Sequence, residues 1–311
     1  MIKTVTMNPA VDKTVEITDF RIGAVNRISS IRLDAGGKGI NVSKTIKAMD
    51  GSSIATGILA GRSGDYIKSY LDQMEVENDF IFVRGETRTN IKVIDSWNKT
   101  NTDINEPGAY DVAEEDLSLL EKRIFSGMSK GDILVLSGSV PSGVSKGIYR
   151  EWVERGCKSG VKVLLDADGE LLKEGIKARP YLLKPNITEL ESLLRRKLKG
   201  INEVVSAGRS LLDNGIEVIA ISLGEEGAVF IKGDQTIHAE GIKVEVKSTV
   251  GAGDAMVASL ALAISRGYSF ERAAALSVAA GTAKVASAGT QPPAMEDVLS
   301  FEGQVKLNYV K

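Results

Sequence analysis

The run Ile133-Leu134-Val135-Leu136-Ser137 decides the fold class. Four successive apolar residues leave no polar face, so the segment predicts a strand covered on both sides, as in a parallel sheet. It lies between two helical patterns, Glu114–Phe125 before it and Ile148–Cys157 after it. Farther out the alternation continues. β-rich runs stand at Ile2–Met7, Ile54–Leu59, Val161–Asp166, Tyr181–Lys184 and Val218–Ser222, with helical stretches at Val42–Met49, Tyr66–Met74 and Val204–Leu212. Strands alternating with helices mean βαβ units, and the chain reads as an α/β protein with a mostly parallel sheet.

Two stretches break the rhythm. Thr14–Leu33 and Thr89–Asn105 alternate polar and apolar residues with no helical pattern inside them. They predict one small antiparallel sheet made by two excursions, suited to cover a site as a lid or to pair two subunits. The C-terminal third predicts helices at Gly253–Ser265 and Ser269–Val285, rich in Ala, Gly and Ser and so able to pack closely.

The chain has 311 residues, with 39 Lys+Arg against 41 Asp+Glu, a net charge of −2. That balance argues against a nucleic-acid partner, which normally demands a basic surplus, and leaves room for a local pocket for one small anion. No apolar run approaches the roughly 18 residues that suggest a transmembrane helix, so no membrane partner is expected. The start, Met1-Ile2-Lys3-Thr4-Val5-Thr6, reads as a first strand rather than a signal peptide. The single cysteine, Cys157, excludes an intrachain disulfide and suits a reducing cytoplasm; it is expected as a buried structural thiol. The single histidine, His238, lies in a strand pattern and is expected at a surface or edge, outside any catalytic or metal site.

Ser248-Thr249-Val250-Gly251-Ala252-Gly253-Asp254-Ala255 carries the most chemistry. A glycine turn opens a long helix, whose first N–H groups and dipole favour an anion. Asp254 falls in that first turn, either as a helix cap or as a base that takes a proton from an attacking hydroxyl. The motif is no Walker A loop: the only Gly-Lys pair, Gly37-Lys38, is followed by Gly39. Asp34-Ala35-Gly36-Gly37-Lys38-Gly39-Ile40-Asn41 is a second glycine turn ahead of a helix, either an ordinary turn or a cradle for another anion with Lys38 as its charge. In Thr87-Arg88-Thr89-Asn90-Ile91-Lys92, strand periodicity puts Arg88, Asn90 and Lys92 on one face of the lid, suited to a phosphate monoester unless it is merely a solvated face. Lys184-Pro185-Asn186-Ile187-Thr188-Glu189 ends a strand and starts a helix. Asn186 and Glu189 fit a plain capping box, or a carboxylate holding water on Mg²⁺. Asp12, in the loop after the first strand, is either a solvated loop carboxylate or an acceptor for a sugar hydroxyl.

Taken together and in order, these segments resemble the ribokinase-like carbohydrate kinases, in the phosphofructokinase B branch, and within it most resemble the 1-phosphofructokinases. The resemblance spans nearly the whole chain. It implies a single ribokinase-like domain over residues 1–311, a three-layer α/β/α sandwich with lid strands inserted at about 13–34 and 88–106. It implies ATP-dependent phosphorylation of fructose 1-phosphate at its C6 hydroxyl. Tagatose-6-phosphate kinase or 6-phosphofructokinase is the alternative on the same fold, and a non-catalytic sugar-phosphate sensor a more distant one. By resemblance Asp254 is the base, and Gly251, Ala252 and Gly253 form the anion hole. Gly37, Lys38 and Gly39 stand between the two phosphates, Asp12 and Asn41 orient sugar hydroxyls, and Arg88, Asn90 and Lys92 hold the acceptor's phosphate. Ser137 and Ser139 line the sugar site. Lys184, Asn186, Glu189, Ser222, Gly224, Gly227, Thr249 and Val250 serve the nucleotide, with Glu189 acting on Mg²⁺ through water. The implied partners are a sugar phosphate, ATP and a second copy of the chain joined through the lid sheets. One departure is Asp168, where relatives more often carry Ser.

Overall fold

β1 (Ile2–Thr6) sits in the middle of the main sheet, and a first excursion, β2 (Ala10–Ile17) and β3 (Ser30–Gly36), follows it directly in a computed structural model that describes residues 1–287 and 291–310. The chain continues through α1 (Lys38–Ala48), β4 (Ile54–Ala60), α2 (Gly61–Gln73) and β5 (Asn78–Val83). A second excursion holds β6 (Gly85–Glu86), β7 (Arg88–Asp95), β8 (Thr100–Asn105) and β9 (Ala109–Tyr110). Next come α3 (Glu114–Phe125), β10 (Ile133–Ser137), α4 (Ile148–Lys158), β11 (Lys162–Asp166), α5 (Gly169–Lys177) and β12 (Leu182–Leu183). The last third comprises α6 (Ile187–Leu194), α7 (Gly200–Leu212), β13 (Val218–Ser222), β14 (Ala228–Lys232), β15 (Gln235–Ala239), α8 (Ala252–Ser265), α9 (Phe270–Ala286), α10 (Met295–Glu302) and β16 (Leu307–Tyr309).

The main sheet runs β16-β15-β14-β13-β12-β11-β10-β1-β4-β5. It is parallel from β5 to β13 and antiparallel beyond. The expected parallel α/β sheet is present, and β10 explains itself residue by residue. Leu134 and Leu136 enter a core with helices α3–α7, while Ile133 and Val135 enter the opposite core with α1, α8, α9 and α10. Apolar side chains on both faces leave neither face for water, which gives three layers. β12 is shorter than its apolar run, because Pro185 lacks the N–H that would continue the ladder. The chain first builds outward from β1 through β4 and β5, then crosses to β10 on the other side of β1. The order therefore reverses between β1 and β10, where open α/β sheets leave a ligand crevice at their carboxyl ends.

The two excursions join in one four-stranded sheet, β3-β2-β7-β8. Each hairpin is antiparallel, as expected, but the seam between them is a parallel ladder from Ala10↔Arg88 to Ile17↔Asp95. At the far end the Asp95 carboxylate accepts from the backbone N–H groups of Asp19, Phe20, Trp97 and Asn98 at 2.9–3.1 Å and from Asn98 Nδ2 at 2.8 Å. These bonds, the Asn98 side chain first, hold its carboxyl down to about 2.

One expectation changes, and the other holds at the surface rather than at an edge. Cys157 is exposed: Trp152, Val153 and Gly156 face the core and the next position turns outward, so its thiol lies at the surface, 3.6 Å from Arg179 O. His238 lies in β15, flanked on both sides by strands, with Nε2 2.8 Å from Glu226 O. No helix among the described residues is long and apolar enough to cross a membrane.

Candidate active site

Asp166 ends β11, after Val163-Leu164-Leu165, and is 2% exposed. A buried carboxylate is tolerable only if paired. Its Oδ1 lies 3.1 Å from Lys184 Nζ and its Oδ2 3.4 Å from Lys38 Nζ, while Ser137 Oγ stands 3.3 Å from Oδ2. Burial alone would raise the Asp166 pKa, but Lys184 and then Lys38 outweigh it and hold the group below its ordinary value. Lys38 is in turn held above its ordinary range, chiefly by Asp166. Three distant segments thus converge where β10, β11 and β12 end.

Lys38 is the first residue of α1, which starts earlier than its apolar periodicity suggests. The glycines before and after it have mainly steric duties. Gly37 sits at φ 120, and a Cβ on Gly39 would fall 2.6 Å from Val5 O, so α1 can lie hard against β1 only with glycine there. Asn41, in the next turn, donates from Nδ2 to Asp254 Oδ2 at 2.9 Å.

Asp254 stands in the first turn of α8 and is 6% exposed. Gly251 caps that helix at φ 82, a conformation that disfavours side chains. The first intrahelical bond runs from Ala255 N to Gly251 O at 2.9 Å, and Ala252 N turns back to Thr249 O at 3.4 Å. The N–H groups of Gly251, Gly253 and Asp254 precede that ladder and have no helical acceptor, a geometry that suits an anion. Val250 N reaches Ser248 Oγ at 3.4 Å, fixing the approach through Thr249 and Val250. A Cβ on Gly253 would lie 3.4 Å from Lys184 Nζ, so this lysine serves both Asp166 and the turn. Burial, with Asp166 adding its charge, pushes Asp254 up to about 6. A carboxylate poised there at neutral pH is ionised yet basic enough to accept a hydroxyl proton.

The lid supplies a second group. Asp12 pairs with Asn90 across the parallel seam, and Asn90 Nδ2 donates to Asp12 Oδ1 at 3.0 Å. Burial raises the Asp12 pKa. The buried Asn90 Oδ1 has no partner among the described residues, leaving an acceptor for a ligand hydroxyl. Arg88 Nη1 donates to Glu106 O at 3.3 Å, with Nε to Pro9 O and Nη2 to Asn8 O at 3.4 Å each. Lys92, on the same face, is half-buried. Asn8 Nδ2 donates to Ser139 Oγ at 3.1 Å and ties the lid base to the segment after β10, while Ser137 turns inward to Asp166.

On the other side, Asn186 and Glu189 form the reciprocal capping box, each side chain accepting the other's backbone N–H at 2.8 Å. Ser222 N donates to Pro185 O at 3.1 Å, which sets the end of β13 beside this helix start. Gly224 opens the turn after β13 and Gly227 closes it, where a Cβ would lie 2.1 Å from Ala239 O. Burial raises the Glu189 pKa, with Asp166, Lys184 and Lys38 all within electrostatic reach. Among the described residues no three His, Cys, Asp or Glu side chains cluster to enclose a metal. With Asp166 taken by two lysines, the donor set fits an ion that keeps its waters and phosphate ligands and meets the protein at one carboxylate.

Asp166, a carboxylate closing an otherwise apolar buried strand, joins the candidate site without belonging to any of the motifs above, as do Lys44 and Lys284, each at most 3% exposed.

Comparison with known proteins follows the same direction. The profile described as pfkB family carbohydrate kinase matches residues 5–297. The 1-phosphofructokinase of Borreliella burgdorferi is 36% identical over 284 residues, 91% of this chain and 91% of that protein. The crystal structure of phosphofructokinase-2 from Escherichia coli has a TM-score of 0.93 at 28% identity, covering 97% of this chain and 98% of that one. The ribokinase of Thermotoga maritima, at 22% identity and a TM-score of 0.77 over 97% of this chain and 98% of that one, shares the fold.

Proposed function

Because the chain belongs to the pfkB family of carbohydrate kinases, we propose that it transfers the γ-phosphoryl group of ATP to the C6 hydroxyl of fructose 1-phosphate, giving fructose 1,6-bisphosphate and ADP. The coarser activity, ATP-dependent sugar-phosphate kinase, follows from the family itself. The observation that carries the phosphoryl-transfer chemistry is Asp254, buried, raised to about 6 and set in the first turn of α8, and the acceptor rests on the likeness to 1-phosphofructokinases.

In this reading Asp254 takes the proton from the C6 hydroxyl as its oxygen attacks phosphorus. The amides of Gly251 and Gly253 receive the charge on the transferring group, with Ala252 N, bonded to Thr249 O at 3.4 Å, between them. Lys38 and Lys184 screen the phosphates while Asp166 holds both ammonium groups in place. Asp12, Asn41 and Asn90 orient the sugar hydroxyls. Asn186, Ser222, Gly224, Gly227, Thr249 and Val250 border the nucleotide. Mg²⁺ brought with ATP would neutralise charge between the phosphates, and Glu189 is the carboxylate placed to hold its water. A single exposed thiol suits a reducing cytoplasm.

The deciding experiment is a coupled ADP-release assay against fructose 1-phosphate, fructose 6-phosphate and tagatose 6-phosphate. The highest kcat/KM is expected for fructose 1-phosphate, and a higher value for either competitor overturns the acceptor. Arg88→Ala is expected to raise KM for the acceptor by about tenfold or more, the usual worth of a charge-assisted contact, with KM for ATP little changed. A shift in KM for ATP instead would remove Arg88 from the acceptor site.

The chain is also read as a homodimer through its lids. The face opposite Asp12 and Asn90 carries Ile31, Leu33 and Ile104, exposed at 56%, 39% and 51%. Lone apolar patches of this kind mark interfaces. Sedimentation at working concentration is expected to give a dimer and Ile31→Glu to dissociate it; a monomeric wild type refutes the assignment.

A further inference from the structure

Lys284 lies in the last turn of α9, a helix otherwise lined inward by Ala, Leu, Val, Ser, Thr and Gly. It is 3% exposed. α9 packs along α8, and Lys284 reaches the first turn of α8: a Cβ on Gly251 would fall 3.2 Å from Lys284 Cε. Its ammonium is one bond farther on. The side chain therefore abuts the glycine turn from the helix layer, while Lys184 meets the same turn at Gly253.

We propose that Lys284 is a further cation of the phosphoryl-transfer site, seated against the Gly251–Gly253 turn to hold the negative charge that arrives on its amides. The inference rests on reading that turn as the anion hole of the kinase. In a dry site a fixed charge this close acts with little screening. Among the described residues the charged groups within reach are Lys44 on α1, Asp254 on α8, and Arg32 and Asp34 on β3. Burial first, then Lys44, lowers Lys284 to about 8, so an anion bound on the turn should draw a proton onto it.

Two measurements test this. Lys284→Met is expected to lower kcat by about 10–100-fold, with KM for the sugar phosphate within about twofold. It should also remove the alkaline limb near pH 8 that is expected in the wild-type kcat/KM profile. Wild-type kcat with an unchanged alkaline limb overturns the proposal. Independently of any variant, MgATP binding to the wild type at pH 8, followed by calorimetry in buffers of different ionisation enthalpy, is expected to take up protons; zero uptake also overturns it. A wild-type chain that phosphorylates no sugar phosphate would sink the kinase reading and this inference together. An active wild type matched by Lys284→Met would sink the inference alone.

Discussion

Asp254→Asn is expected to lose about 10²–10⁴-fold in kcat, the usual worth of a positioned base, while both substrates still bind. The amide can accept the same bond that Asn41 Nδ2 gives the carboxylate at 2.9 Å, so the geometry of the turn should survive. What is lost is the ability to take a proton. In the wild type kcat should fall as pH drops through about 6, because Asp254 becomes protonated there; in the variant that acid limb should vanish with the activity. Stability should move the other way. A carboxyl whose folded pKa is raised destabilises the fold once it is ionised. The penalty grows as pH rises from the unfolded value of about 3.9 through about 6. Asp254→Asn should therefore melt higher than wild type at pH 7.5 and no higher at pH 4. Turnover within a few-fold of wild type would remove Asp254 from the chemistry.

The second large effect belongs to Asp166. Asp166→Asn keeps the shape but leaves Lys184, whose side chain is 5% exposed, without its countercharge. Removing one partner of a buried pair costs about 3–5 kcal/mol. Lys38 adds little to that figure because its side chain is 38% exposed and solvent screens it. Urea unfolding at pH 7 should show the loss. The folded pKa of Asp166 is depressed, so its contribution is present above the unfolded value of about 3.9 and disappears as pH falls through the folded one. The gap between wild type and variant should therefore close in acid. A variant as stable as wild type at pH 7 would mean that the lysines find other partners.

The sheet was legible because burial on both faces writes itself into a strand as unbroken apolar residues, and β10 could be read without knowing its neighbours. The site was legible where one short segment holds both its geometry and its chemistry, as in Gly251-Ala252-Gly253-Asp254. It was hidden where function arises from segments meeting. Asp166, Lys38 and Lys184 stand far apart in the chain, and nothing in the periodicity of one announces the others. Lys284 was hidden for the same reason. The parallel seam of the lid was hidden because side-chain alternation fixes which residues share a face but not which strand lies alongside. Asn186 and Glu189 were visible as a pair, and their reciprocal bonds answer the capping reading fully, since a three-residue spacing serves a cap and a ligand equally. Cys157 was misplaced because one step around a helix separates the core from water.

The lid has a mechanical consequence. Two hairpins on separate stalks would swing separately. Here an eight-rung ladder joins them from Ala10 to Ile17, and Asp95 knots their far ends with five donors. The pair is therefore one stiff plate rather than two flaps, and Arg88 and Asp12, which belong to different excursions, are held at a fixed spacing by the rungs between them.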